Sequence, residues 1–264
     1  MMYIFHIVKV LIEKIKTEFD FEKKRLSRLP RYIKTSSTFL GKPIEIVDAC
    51  TYLVGLEEIF RKENYRFVSD NKTPLIIDVG ANIGLSVIYF KLLFPHSRII
   101  AFEPDPEIFN SLQKNIKSFE LQDVKLYNRA ASIENGEQEF VIEGGYSGHI
   151  KNEFDAGRKI SKVPTTRLQD VLFERVDFLK IDVEGAETEI IKDCADMLKN
   201  VHSLFIEYHS HEKNKQTLDV ILNILTRAGF RYHIKEAYTV PHPYIERPCL
   251  ANMDLQLEIF AIRQ

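Results

Sequence analysis

The seven residues Asp78-Val79-Gly80-Ala81-Asn82-Ile83-Gly84 constrain the fold more than any other part of the chain. The run before them, Leu75–Val79, is short and nearly all apolar, as in a strand buried on both faces. Leu85–Phe94 after them has only Ser86 and Lys91 as polar residues, as in a helix covered on most sides. A strand that turns through glycines into a helix brings backbone close to a ligand and aims the amides of a helix start at it. Asn82 stands where many nucleotide-binding loops have a second glycine, and asparagine tolerates left-handed backbone better than most residues. The pattern predicts an α/β protein with a small-molecule site at the carboxyl edge of its sheet, held by Asp78, Gly80, Ala81, Asn82 and Gly84.

The alternation of strand and helix continues. Arg98–Phe102 reads as a second strand, followed by Asp105 as N-cap and Pro106 as first residue of a helix with Ile108, Leu112, Ile116 and Phe119 on one face. Val124–Tyr127, Phe178–Ile181 and Ser203–Tyr208 read as the third, fourth and fifth core strands. Ile190, Ile191, Cys194 and Leu198, then Leu218, Ile221, Leu222 and Leu225, form the apolar stripes of the next two helices, with Gly229 as a C-cap. Phe230–Lys235 and Leu257–Ile262 are joined by PHPYIERP, which has no helical pattern, and this implies an antiparallel edge. The expected fold is a doubly wound, mostly parallel Rossmann-like sheet with a reversed last strand, the methyltransferase variant, where a dehydrogenase would continue βαβ. Residues 134–166 break the alternation with a strand-like QEFVIE and a Gly-rich GGYSGH, which predict a hairpin or flap. Residues 1–71 read as an N-terminal cap, with a helix at its start, β-prone residues around Ile44–Val47 and a helix over Leu53–Glu63, laid on a core domain at 72–264.

The bulk properties narrow the partners. With 36 basic and 38 acidic residues the net charge is −2, which makes no global electrostatic case for nucleic acid. Cys50, Cys194 and Cys249 fit no metal-ligand spacing and read as reduced thiols, which points to a cytoplasmic protein. The opening MMYIFHIVKVLIEKIK is interrupted by His6 and Lys9, so it is no transmembrane segment and a poor signal peptide. It reads as an amphipathic helix packed on the protein's own body or on a second copy in a homodimer, with a peripheral membrane contact as the alternative.

Three further groups carry chemistry. Glu103 follows the second strand, 23 residues after Gly80, where an acid accepts hydrogen bonds from both ribose hydroxyls. Asn128 ends the third strand and is placed to meet an adenine edge. NAD and S-adenosylmethionine both present an adenosine, but NAD also needs a G-x-G-x-x-G for its pyrophosphate, which is absent. In DFLKIDVEGAETEII, Asp182 ends a central strand at the ligand edge, with Glu184 in the turn; Glu187 is explained as an acid at a helix N-terminus. In FIEYHSH, Glu207 and His209 alternate with apolar partners at the end of the fifth strand, so they share a face. An alcohol is a poor nucleophile until deprotonated, and histidine is a suitable base. A divalent ion held by Asp182, Glu184, Glu207 and His209 would be the alternative way to lower the hydroxyl's pKa.

IIDVGANIGLSVIYFK, IIAFEPDPEIFNSLQKNI, FLKIDVEGAE and FIEYH, in this order and spacing, resemble the FkbM family of class I methyltransferases, as does the lead-in GLEEIFRKENYRF. The resemblance covers roughly residues 50–235. It implies S-adenosylmethionine-dependent O-methylation of a sugar, glycan or natural product. By motif it assigns cofactor binding to Asp78, Gly80, Asn82, Gly84 and Glu103, and the substrate side to Asp182, Glu184 and His209. The competing readings are a nicotinamide-dependent oxidoreductase and a non-catalytic cofactor-binding protein.

Overall fold

The computed structural model describes residues 22–141, 149–150, 160–245 and 253–263. The expected N-terminal helix, the GGYSGH stretch except His149, and the end of PHPYIERP lie outside them. The apolar runs form a sheet of seven strands: β3 (Leu75–Val79), β4 (Arg98–Phe102), β5 (Val124–Tyr127), β10 (Val176–Ile181), β11 (Val201–His211), β12 (Phe230–Thr239) and β13 (Met253–Arg263). Their spatial order is β12-β13-β11-β10-β3-β4-β5. The five strands from β11 to β5 are parallel, and β13 is antiparallel to both β11 and β12.

The expected antiparallel edge is present, formed by β12 and β13. The reversed strand is last in sequence but second in space, and β12 is the edge. A crossover through α5 (Leu218–Arg227) carries the chain one place too far, and β13 folds back into the gap. Because β13 pairs with β11 from Ser203↔Ile262 to His211↔Met253, that strand runs three residues past Tyr208. Glu207 and His209 therefore sit inside a paired strand rather than at its end.

Alternation along the strands divides the core in two. Ile76, Ile99, Phe178 and Phe205 pack against α2 (Leu85–Leu93) and α3 (Pro106–Ser118). Leu75, Ile77, Val79, Leu179 and Ile181 pack against α4 (Glu187–Asp193) and α5. Residues 26–65 complete the first core. There the chain forms a hairpin, β1 (Thr35–Phe39) and β2 (Lys42–Ile46), then α1 (Ala49–Gly55). Asp48 caps α1 by accepting from Thr51 N at 3.1 Å and Thr51 Oγ1 at 2.6 Å, so the helix starts four residues before the expected Leu53. It runs on over Leu56–Arg61 in π geometry, with Lys62 N bonded to Glu57 O.

Two buried polar residues fix this N-terminal part to the sheet. Asn115 on α3 accepts from Glu45 N at 2.7 Å and donates to the carbonyls of Glu45 and Ile83, each at 2.9 Å. One amide thus ties β2 to the glycine turn. Asp177, fully buried, accepts from Ser69 Oγ, Asn71 Nδ2 and Leu75 N. The interruption at 134–166 forms a separate small sheet. It consists of β6 (Ala130–Ser132), β7 (Gly136–Val141), β8 (His149–Ile150) and β9 (Ile160–Arg167), in the order β6-β9-β7-β8. Among the described residues no helix is long and apolar enough to cross a membrane.

Candidate active site

The turn between β3 and α2 has its own amides already committed. Gly80 N and Ala81 N donate to the Phe102 carbonyl at 3.1 and 2.9 Å, and Gly84 N donates to Ala81 O. Asn82 N donates to Glu103 Oε2 at 3.0 Å, and Ile83 N to Asn82 Oδ1 at 2.8 Å. The amides of Gly80 to Gly84 are therefore spent on the turn itself, on Phe102 and on Glu103. Gly80 adopts φ +85°, and a Cβ on it would lie 2.1 Å from the Asp182 carbonyl oxygen. The close approach that requires glycine is thus to the end of β10. Asn82 follows at φ +48°.

Glu103 is 5% exposed; its Oε1 accepts from Asp105 N at 2.9 Å while Oε2 holds Asn82 N. Burial pushes its carboxyl up to about 8 despite these amides. It lines a cleft with Gly80, Asn82, Ala130, Phe140, Asp182 and Glu184. Three expected cofactor contacts fall elsewhere. Asn128 Nδ2 donates to the carbonyls of Glu103 and Pro104 at 2.8 and 3.0 Å, so the amide pins the turn and not an adenine edge. Gly84 lies outside the cleft; a Cβ there would meet Leu112 Cδ1 at 2.7 Å, so its role is close packing of α3 on the turn. Asp78 is wholly buried, accepts from Ser86 Oγ at 2.5 Å and faces Lys180 Nζ at 3.5 Å, holding neither loop amides nor the cleft. Ala81 lines a second, smaller cleft on the far side of the turn.

The acids cluster beside the first cleft. Asp182 Oδ2 accepts from Lys180 Nζ at 3.2 Å. Glu184 is held at φ +58° and is followed by Gly185 at φ +113°, a turn that aims the Glu184 carboxylate at His209 Nε2, 3.4 Å away. On its other side His209 Nδ1 meets Glu187 Oε1 at 2.8 Å, and the same oxygen accepts from Gly185 N at 2.9 Å. Burial pulls the imidazole's pKa down, but Glu184 and Glu187 outweigh it and raise it well above the usual histidine value. Gln256, opposite His209 on β13, donates through Nε2 to Glu207 Oε1 and lies 3.3 Å from His209 Nε2. Burial, then Asp182, raises the Glu207 carboxyl well above its ordinary range. Asp182, Glu184 and His209 each bring one ligand atom to within 4.8 Å of the others.

Lys180, Glu187 and Gln256 were not singled out as site residues by the sequence. Lysine in the buried run VDFLKI was a visible signal, because an ammonium survives burial only beside partners. Gln256 had no signal, since its place depends on the register of β13.

The Methyltransferase FkbM domain matches residues 78–232. Among characterised proteins, methyltransferase sdnD of Sordaria araneosa is 32% identical over 171 residues, covering 52% of this chain and 66% of its own length, just under two thirds. The 2-O-methyltransferase NoeI of Sinorhizobium fredii is 28% identical over 174 residues, 58% of this chain and 71% of that protein. The hexuronic acid methyltransferase AglP of Haloferax volcanii is 23% identical over 203 residues, 71% of this chain and 83% of that protein. The matched stretch contains the glycine turn, Glu103 and the Asp182–His209 cluster, and the chain belongs to the FkbM family of S-adenosylmethionine-dependent methyltransferases.

Proposed function

We propose that the chain transfers a methyl group from S-adenosylmethionine to a hydroxyl of a sugar, glycan or natural-product acceptor. The observation that carries this reading is the setting of His209. Glu187 fixes its Nδ1, and Nε2 takes the proton of an alcohol at the carboxyl edge of the sheet once the imidazole, whose pKa Glu184 and Glu187 raise, has lost its own at alkaline pH, so transfer should rise with pH. Glu184, 3.4 Å from that nitrogen, stabilises the imidazolium that forms. Gln256 keeps Glu207 and His209 on one face. The relatives named for 2-O-methylation and for hexuronic acid weigh toward a sugar acceptor.

The residues fit the cofactor: the amides of Gly80 to Gly84 are spent on the turn and its neighbours, and Glu103 stands in the wall of the cleft, where its carboxyl would meet two vicinal hydroxyls. When bound, S-adenosylmethionine supplies a methyl group on a sulfonium. Gly80, Asn82 and Glu103 would hold it.

A second reading has its own observation. The three convergent ligand atoms of Asp182, Glu184 and His209, with Glu187 behind the imidazole, also suit a divalent ion. Transfer of labelled methyl groups from S-adenosylmethionine to hexoses, uronic acids and their amino-sugar analogues tests both. We expect labelling of hydroxyls that survives EDTA and is lost in His209→Ala. Activity lost to EDTA and restored by Mg²⁺ would favour the ion, and labelling confined to amines would contradict O-methylation.

A further inference from the structure

The turn that carries Glu184 separates the cofactor cleft from another cleft on its outer side. Glu184 lines both, and among the described residues it is the only one that does. The outer cleft lies between three parts of the fold. The small sheet contributes Ser132 on β6 and Gln138 on β7, α4 contributes Glu189, and the end of β11 contributes His211, with Asn214 just after it.

The chain path brings this cleft to the reacting groups. His211 follows His209 by two residues on β11. The backbone of Gly185 lies against it, since a Cβ on that glycine would come within 3.0 Å of His211 Nε2. The residue before, Glu184, is 3.4 Å from His209 Nε2. An in-line methyl transfer needs the donor and the alcohol on opposite sides of the carbon that moves. Two clefts that meet at Glu184, with His209 beside the meeting point, provide that arrangement.

The lining speaks for the chemistry of the occupant. Ser132 Oγ donates to Gln138 Oε1 at 3.3 Å, and Asn214 N donates to the His211 carbonyl at 2.9 Å. The side-chain amide of Asn214 has no partner among the described residues. Amides and carboxylates together both donate to and accept from hydroxyls, which suits a ligand dense in them. The ionic groups are one-sided. Glu184 and Glu189 are carboxylates, and the described lining contains no lysine or arginine. A carboxylate or phosphate on the ligand would enter beside two like charges without a fixed cation to meet it.

We propose that the outer cleft seats the methyl acceptor, and that it admits a sugar without an anionic group in preference to a uronate or a phosphorylated sugar. This rests on the methyltransferase reading above and adds the place and the charge of the acceptor. Glu189 and Asn214 then act on specificity, and neither lines the cofactor cleft.

Methyl transfer to matched pyranosides tests the proposal: methyl glucoside against methyl glucuronide, and methyl galactoside against methyl galacturonide, with S-adenosylhomocysteine affinity measured alongside by calorimetry. kcat/KM should favour the neutral member of each pair at least about tenfold. Glu189→Lys should narrow that preference at least about fivefold. Asn214→Ala should raise the KM of the neutral acceptor at least about threefold with kcat little changed. Both side chains are exposed, and S-adenosylhomocysteine affinity should stay within about twofold in each variant. Uronides methylated as well as their neutral partners, or selectivity and KM untouched by both variants, would overturn the proposal while leaving hydroxyl methylation intact. No pyranoside methylated by a protein that binds S-adenosylhomocysteine would overturn it as well. Failure to bind S-adenosylhomocysteine would overturn the methyltransferase reading and the proposal with it.

Discussion

His209→Ala is expected to lower kcat for methyl transfer about 100- to 10,000-fold while leaving S-adenosylhomocysteine affinity within about twofold. The imidazole is 5% exposed, lies between two carboxylates and is held by strand pairing on β11, so no neighbouring group can take its place. Glu187→Ala should cost less, about 10- to 100-fold in kcat, because the base remains but its orientation is lost. The lost acceptor also strands Gly185 N, so a modest fall in stability should accompany it. Rapid-quench measurement of the transfer step, with binding measured separately, checks both variants. A kcat unchanged in His209→Ala would remove the base assignment.

The second large effect is predicted for Gly80→Ala. A Cβ 2.1 Å from the Asp182 carbonyl oxygen cannot be accommodated by a side-chain rotation, because the obstacle is backbone. The left-handed φ of +85° adds its own cost. We expect a stability loss of about 2–5 kcal/mol, summing about 1–2 for the backbone and about 1–3 for the overlap. S-adenosylhomocysteine should no longer bind measurably, since β10 and the turn cannot both keep their places. Gly41→Ala is the control: its φ is +78° and its Cβ would meet nothing within 4 Å, so only the backbone cost remains. Thermal unfolding of the two variants side by side separates the terms, and equal losses would show that the close approach to Asp182 carries no weight.

Much of this architecture was legible in the sequence, because burial on both faces leaves a continuous apolar run that names a central strand. Leu75–Val79 and Arg98–Phe102 are bounded as their residues predict. The Asp105–Pro106 start of α3 was legible as well, since a cap is a local interaction: Asp105 Oδ1 accepts from Glu107 N and Ile108 N. What depends on partners distant in sequence was not. The edge order hinges on where β13 inserts, and no property of Leu257–Ile262 alone decides between an outer and an inner place. The site divides in the same way. Glu103, Asp182, Glu184 and His209 could be named because polar residues within or just after an apolar run are conspicuous. Asn128 and Asp78 are equally conspicuous, but their side chains are spent on the Pro104 turn and on Ser86 with Lys180. Glu187 was explained by the helix N-terminus; its hydrogen bond to His209 is visible only once α4 and β11 are adjacent.

The most direct test of the account is a calorimetric titration with S-adenosylhomocysteine, with NAD as control, on the wild-type protein and on Glu103→Ala verified as folded by its melting curve. The account predicts micromolar binding of S-adenosylhomocysteine, none of NAD, and loss of the former in Glu103→Ala. Binding of NAD, or no S-adenosylhomocysteine binding by a folded wild-type sample, would contradict it.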